Sequence, residues 1–323
     1  MSTHILRRTA IACGAALLAS GAAWASDYPN KPVTVVVGYP AGGSTDLMGR
    51  LVAHELEKHL GQAVVVENLG GAGGAIGAQK VVNAKPDGYT VLVGANNELA
   101  IANLINKSIR YKLSDFTPIS VFASQPMVLV ASKKAGVKTA ADFVKAVKAN
   151  PGQFSYGSSG VGTALHLAGE MLKDQGKINM QHVPYRGVPA LTNDILGSNI
   201  EYGMFVLSSG LPLIKAGKVT ALGTTEAKRY SATPDIPALS ELPDFKQVDI
   251  NSWFALVGPA GLPADVSAKL KDAMAKTLAS AEFRKKVQDA GASVLDKNVD
   301  AGKYMSNEIA KYKKIVDVAH IEQ

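Results

Sequence analysis

Cysteine is almost missing from this sequence: Cys13 is its sole example. It falls inside a stretch that reads as a cleaved leader, so the mature chain is expected to have no disulfide, no reactive thiol and no cysteine metal ligand. Arg7 and Arg8 open that leader, an apolar and small-residue run follows from Thr9 to Ala23, and Ala23-Trp24-Ala25 offers a cleavage site before Ser26. Long apolar runs are also absent beyond it, which excludes a membrane-spanning helix of ordinary length. The basic residues form no block and are not interleaved with aromatics, so nucleic acid is not an expected partner. Loss of Arg7 and Arg8 with the leader takes the formal net charge from +7 to +5. The mild positive field that remains favours small anions. A chain of this size buries enough core to fold without disulfides or a structural metal.

What is present is alternation. Val33–Val37, Val64–Glu67, Thr90–Val93, Met127–Ala131, Phe154–Tyr156, Met180–Val183, Ile200–Phe205, Val219–Gly223 and Phe254–Val257 read as strands. Asp46–Leu60, Ala75–Asn83, Ala140–Asn150, Thr163–Asp174, Ala190–Leu196, Asp265–Leu278, Glu282–Ala290 and Ala301–Val318 read as helices. Such a pattern predicts α/β architecture with mostly parallel sheets. Asp115–Pro126 and Leu242–Pro263 read as crossings between two lobes, one α/β unit inserted into another with a two-segment hinge.

Four strand ends share one design of small residues leading into a helix: "YPAGGSTD", "ENLGGAGGAIG", "YGSSGVGTALH" and "VPYRGVPALT". Ligands in open α/β sheets settle beyond the carboxyl ends of strands, and helix N-termini attract anions. Taken singly, each loop is also an ordinary turn and cap. A G-x-x-x-x-G-K-[ST] loop is lacking, Ile76 breaks a dinucleotide fingerprint, and Val161 breaks a nucleophile elbow. His166 and Glu170 share a helix face without a third metal ligand nearby in sequence, and His54 and His59 read as helix surface.

As a set, "YPNKPVTVVVGYPAGGSTD", "ENLGGAGGAIGAQKV", "KPDGYTVLVG", "DFTPIS", "YGSSGVGTALHLAGE", "HVPYRG" and "PAGLP" resemble the Bug family, the periplasmic solute-binding components of tripartite tricarboxylate transporters. The resemblance implies a type II periplasmic-binding-protein fold, with lobe 1 formed by residues 26–124 and 252–323 and lobe 2 by residues 125–251. It also implies a periplasmic monomer that holds a small carboxylate between its lobes and delivers it to transporter membrane subunits, without cofactor, metal or catalysis. The matching positions are Gly42, Gly43, Ser44, Thr45 and Asp46, with Ala72, Gly73 and Gly74, in the first lobe. In the second they are Ser158, Ser159, Gly162, Thr163 and His166, with Tyr185 and Arg186.

The sequence departs from the family at Ala95-Asn96-Asn97-Glu98 and at Val206, both expected to be pocket wall. Asn96 is a candidate there, and Glu98 either faces a ligand amine or hydroxyl or caps the following helix. Tyr39, Tyr185 and Phe205 are candidates for stacking on an aromatic acid. Two other functions are compatible with the residues alone: an exported hydrolase using Ser44 or Ser159 with His166, and a ligand-loaded accessory to a sensor.

Overall fold

A computed structural model of the chain describes residues 28–319, with side chains to Asp317; the expected signal peptide, residues 1–25, lies outside them. No helix among the described residues is long and apolar enough to cross a membrane.

The chain begins with β1 (Val33–Val37), α1 (Ser44–Leu60), β2 (Val64–Asn68), α2 (Ala75–Val82) and β3 (Thr90–Ala95). A π-helical turn, Asn97–Ile101, and a short α3 (Ala102–Ile105) lead to a long strand, β4 (Phe116–Ala131). Next come α4 (Ala140–Ala149), β5 (Ser155–Ser158), α5 (Ala164–Gly176), β6 (Gln181–Pro184), α6 (Val188–Leu196), β7 (Tyr202–Val206), α7 (Leu207–Lys215) and β8 (Thr220–Thr224). The return is β9 (Asn251–Pro259), α8 (Ala264–Ala279), α9 (Ala281–Asp289), β10 (Ser293–Val294) and α10 (Ala301–Ala319).

Strand order runs β2-β1-β3-β9-β4-β7-β5-β6. The pairs β1–β2, β1–β3, β5–β6 and β5–β7 are parallel, and the strands that join the lobes pair antiparallel. One strand belongs to both sheets. From Phe116 to Pro126, β4 pairs with β9; from Met127 to Ala131 it pairs with β7 and β8. Gln125 lies opposite Ser252 and Pro126 opposite Asn251, so the two crossings are bonded neighbours.

Helices on both faces explain why β1 reads as a valine run broken only by half-buried Thr34: Val33, Val35, Val36 and Val37 are fully buried. Met48, Val52, Leu56 and Leu60, four residues apart, form the face of α1 turned to that core. Gly49 lets the helix sit close, since a Cβ there would stand 2.6 Å from Val37 Cγ2.

Five elements depart from the sequence expectation, the short α3 and the two-residue β10 among them. Phe116–Pro126 is a strand rather than an irregular connection; Pro118 and Pro126 disguised it, and the pairing shifts register beside Pro118. Helix α7 was hidden by Pro212 inside it. The turn at Asn97 carries no helix signature because its π geometry does not follow the ordinary period. Finally, α10 packs on the π-turn, β4 and α5, so it straddles both lobes.

Candidate functional site

The four glycine-rich loops meet at the cleft. The first runs from β1 into α1, where Gly43 supplies no side-chain cap to the helix. Asp46 instead folds back on the loop: its Oδ2 accepts from the Gly42 N–H at 2.9 Å and from Arg50 Nε at 3.0 Å, and its Oδ1 accepts from Asn68 Nδ2 at 2.9 Å. Asn68 also donates to the Tyr39 carbonyl, at 2.9 Å, so the last residue of β2 steadies the loop after β1. Burial pushes the Asp46 carboxyl up, but the bonds from Arg50, Gly42 and Asn68 outweigh it and hold the group below the usual range.

In the second loop, Gly71, Ala72, Gly73 and Gly74 all have positive φ. Three glycines adopt that geometry freely; Ala72 holds it at a cost. The Tyr39 hydroxyl donates to the Gly73 carbonyl at 2.6 Å. Beneath this loop lies Glu98. Its Oε1 accepts the Ala95 N–H at 2.7 Å, whereas its Oε2 is buried without a hydrogen-bond partner. Burial pushes this carboxyl up to about 8, so it is mostly protonated at neutral pH.

Across the cleft, Thr163 caps α5: its Oγ1 accepts the His166 N–H at 3.4 Å and donates to the Gly160 carbonyl at 2.9 Å. His166 Nδ1 accepts the Gly162 N–H at 3.0 Å, which fixes the loop over the ring. His166 stacks on His182 at 3.8 Å between centroids, and His182 Nε2 lies 2.7 Å from Ser158 Oγ. Burial lowers His166 to about 4, and burial with the neighbouring His166 lowers His182 to about 3; both rings are neutral at pH 7. In the fourth loop, the Tyr185 hydroxyl donates to Asp194 Oδ2 at 2.8 Å. Arg186 is exposed and, among the described residues, has no ion-pair partner.

These loops enclose a cavity of about 760 Å³ lined by all four, together with Asn97, Ala102, Ile105, Asn106 and Ile109. A smaller one, about 30 Å³, adjoins it between Ser44 and Thr45 at the start of α1 and Ala164 and Leu165 at the start of α5. Two helix N-termini from opposite lobes therefore face one space, and each contributes the positive end of a helix dipole.

Of the residues expected from sequence, Tyr39, Gly43, Ser44, Thr45, Ala72, Gly73, Gly74, Ser159, Gly162, Tyr185 and Arg186 line one or both cavities. Ala95 and Val206, at the two departures from the family, also form wall. The others do not reach the lining. Asp46, Ser158, Thr163 and His166 sit behind it and shape the loops through the bonds just described, while Gly42 is exposed at the loop surface. Asn96 is fully buried near the crossings, where its Nδ2 donates to the Tyr312 hydroxyl at 2.6 Å and Ser252 Oγ donates to its Oδ1 at 3.2 Å. Phe205 is fully buried between Gly203 and Gly210 because both faces of β7 are covered, so it stacks on nothing in the cleft. Glu98 follows neither alternative: it lines neither cavity and does not cap the π-turn, but is 1 % exposed, faces the underside of Gly74 and accepts the Ala95 N–H ahead of the turn.

The histidine beside each serine also differs from the expectation. Among the described residues, neither Ser44 nor Ser159 hydrogen-bonds a histidine, and the serine that does, Ser158, is fully buried. His166 and Glu170 stand 3.8 Å apart. Sequence reasoning placed the stretch containing Asn97 in the pocket wall but singled out its neighbours Asn96 and Glu98, whereas Asn97 is the one that lines both cavities. It missed the apolar wall of Ala102, Ile105 and Ile109, which the π-turn rotates into the cleft.

Comparison with known proteins agrees with this architecture. The tripartite tricarboxylate transporter family receptor (TctC) matches residues 48–321. BugT of Bordetella pertussis is 30% identical over 297 residues, covering 90% of each chain. A solved Rhodopseudomonas palustris protein with adipate superposes with a TM-score of 0.88 at 30% identity, covering 92% of this chain and 99% of that one. MatC from the same species, with bound malate, gives 0.83 at 28% identity over 90% and 100% of the two chains. A two-lobed α/β fold, four glycine-rich loops around an interlobe cleft and a match across nearly the whole chain converge: this protein belongs to the tripartite tricarboxylate transporter receptor family and is a Bug-type periplasmic solute-binding protein.

Proposed function

We propose that this chain captures a small dicarboxylate between its lobes and hands it to the membrane subunits of a tripartite tricarboxylate transporter. The observation that carries the reading is the meeting of two helix N-termini at the small cavity that adjoins the cleft, with no acidic side chain in the lining of either. One carboxylate seats against the uncapped start of α1 and the Ser159 hydroxyl. The second reaches the Arg186 guanidinium at the rim, and the chain between them lies on Ala102, Ile105 and Ile109. Adipate and malate in the two Rhodopseudomonas palustris relatives are consistent with a ligand of this length and charge. Binding at micromolar affinity requires about 8 kcal/mol. Charge-assisted hydrogen bonds of roughly 1.5–3 kcal/mol each supply that from a few contacts without a metal.

In this reading the lobes are residues 26–124 with 252–323, and residues 125–251. The working form is a periplasmic monomer released by cleavage near Ala25. It binds without turnover, in keeping with Ser44, Ser159 and Ser252 lining the cavities without a hydrogen-bonded histidine among the described residues.

Mass spectrometry of the co-purifying small molecule, followed by calorimetric titration with malate, adipate, aromatic acids and amino acids, tests the reading. Dicarboxylate binding that weakens at least tenfold in Arg186→Ala supports it. Tight binding of neutral solutes alone, or labelling of Ser159 by a fluorophosphonate probe with hydrolysis of esters, overturns it.

A further inference from the structure

Asn97 does something that no ligand is needed for. It belongs to the first lobe, at the opening of the π-turn, yet its Oδ1 accepts the Ala164 N–H of α5 in the second lobe at 2.7 Å. Its Nδ2 donates to the Tyr39 hydroxyl at 2.6 Å, and that hydroxyl donates to the Gly73 carbonyl at 2.6 Å. One continuous chain of hydrogen bonds thus runs from the start of α5, through Asn97 and Tyr39, into the glycine loop of the opposite lobe. The side chain also lies where the two cavities adjoin, lining both.

A carboxamide oxygen at the first N–H of a helix takes the place that a carboxylate oxygen would take there. The amide, however, brings no charge, and its other end is a donor that a carboxylate lacks. The remaining donors at this helix start are divided: the His166 N–H goes to Thr163 Oγ1, while Leu165 lines the small cavity. At α1 the corresponding first turn has no side-chain cap.

We infer that Asn97 is an internal stand-in for a ligand carboxylate, one that latches the two lobes and steers the incoming anion to the α1 side of the cleft. Closure then has a contribution that does not depend on cargo, so a fraction of the unliganded protein is closed. Specificity follows from the same atom. Because Asn97 already occupies the first donor of α5, a carboxylate that would bridge both helix starts must displace it. One satisfied by the α1 start and Ser159 does not. This second part rests on the carboxylate reading above; the latch does not.

The experiment separates them. Spin labels placed through Lys85→Cys and Leu196→Cys, one on each lobe, report the interlobe distance in ligand-free protein. The mature sequence contains no other cysteine if the leader is removed. Wild type is expected to show a closed population, which Asn97→Ala shifts to longer distance. Ala164→Pro removes the N–H donor from the other side, at a first helical position that accepts proline. It is expected to open the protein in the same way, and it keeps the test alive should Asn97→Ala fail to fold. Asn97→Asp puts a true carboxylate on the helix start and is expected to stay closed, while adipate and malate bind at least tenfold more weakly through like-charge repulsion. Unchanged distances in both Asn97→Ala and Ala164→Pro overturn the latch, and opening in Asn97→Asp overturns the stand-in. If wild type binds neither adipate nor malate, the carboxylate reading fails while the ligand-free distances still decide the latch.

Discussion

The starts of α1 and α5 face each other across the cleft, and they are built differently. Helix α1 begins at Gly43, which has no side chain to cap it, and Asp46 reinforces the loop from behind without covering the helix end. Helix α5 begins at Thr163, which caps it, and Asn97 from the other lobe takes its first N–H. The same local device is thus finished in two ways: one helix start has no side-chain cap, and the other is largely satisfied from within. Similar glycine-rich sequences do not imply equal shares in binding.

The difference extends to what lies beneath each lobe's loops, and pH is the strongest way to break it. Glu98, under the Gly74 loop, has its folded-state value raised from 4.5 to about 8. The folded state therefore holds the proton more tightly, so its contribution is fully present below about pH 4.5 and lost as pH rises towards 8, by up to about 1.4 kcal/mol per unit. Denaturant unfolding of Glu98→Gln at pH 5 and pH 9 should show most of that loss abolished. The same variant should leave selectivity for amine-bearing ligands unchanged.

On the other lobe the sign is reversed. His166 is lowered from 6.5 to about 4 and His182 to about 3. Their contribution is fully present above about pH 6.5 and is lost as pH falls through 4, because burial penalises the charged rings, and protonation of His166 also removes the acceptor for the Gly162 N–H. His166→Asn keeps an acceptor at that position without titrating. Its unfolding curves from pH 7 to pH 4 should lose about 1 kcal/mol or more less than wild type, a slope set by the same linkage.

Asp46→Ala strips the α1 loop of its support: the Gly42 N–H loses its acceptor and the Asn68 amide loses one of its two. A cost of about 2–3 kcal/mol is expected, read as a lowered unfolding midpoint and a loss of carboxylate affinity in calorimetry. If stability falls but affinity does not, the loop is not the anion seat. The smallest effect is expected from Thr163→Ala, a lost cap of about 1 kcal/mol, with ligand affinity changed less than threefold because this helix start is not the main reader of the anion. A larger fall in affinity than in stability would show that both starts share the ligand.

Most of the fold was legible because valine runs and four-residue apolar spacing report burial directly. Pro118, Pro126 and Pro212 hid the first part of β4 and α7, since proline argues locally against elements that tertiary pairing nevertheless supports. The loops of the site were legible too, as small residues between a strand and a helix. The facing of individual side chains was not. Asp46, Ser158 and His166 carry the right chemistry but point back into their own loops, and nothing in spacing distinguishes a residue that lines a cavity from one that props it. Asn97 was overlooked between Asn96 and Glu98 because a π-turn shifts rotational phase by part of a residue step. One neighbour then turns to the crossings and the other to the glycine loop.

The paired crossings also determine how affinity can evolve. Asn96, Asn251, Ser252 and Tyr312 join the chain just after β3 to β9 and α10 through hydrogen bonds that touch no part of the cavity lining apart from Ser252. Apparent affinity scales with the fraction of molecules in the binding-competent arrangement. Substitutions among these residues can therefore adjust how much solute is retained at a given supply while leaving the choice of solute to the loops. Retention and recognition become separately inherited traits, and a lineage can move to a scarcer nutrient niche without first redesigning its pocket.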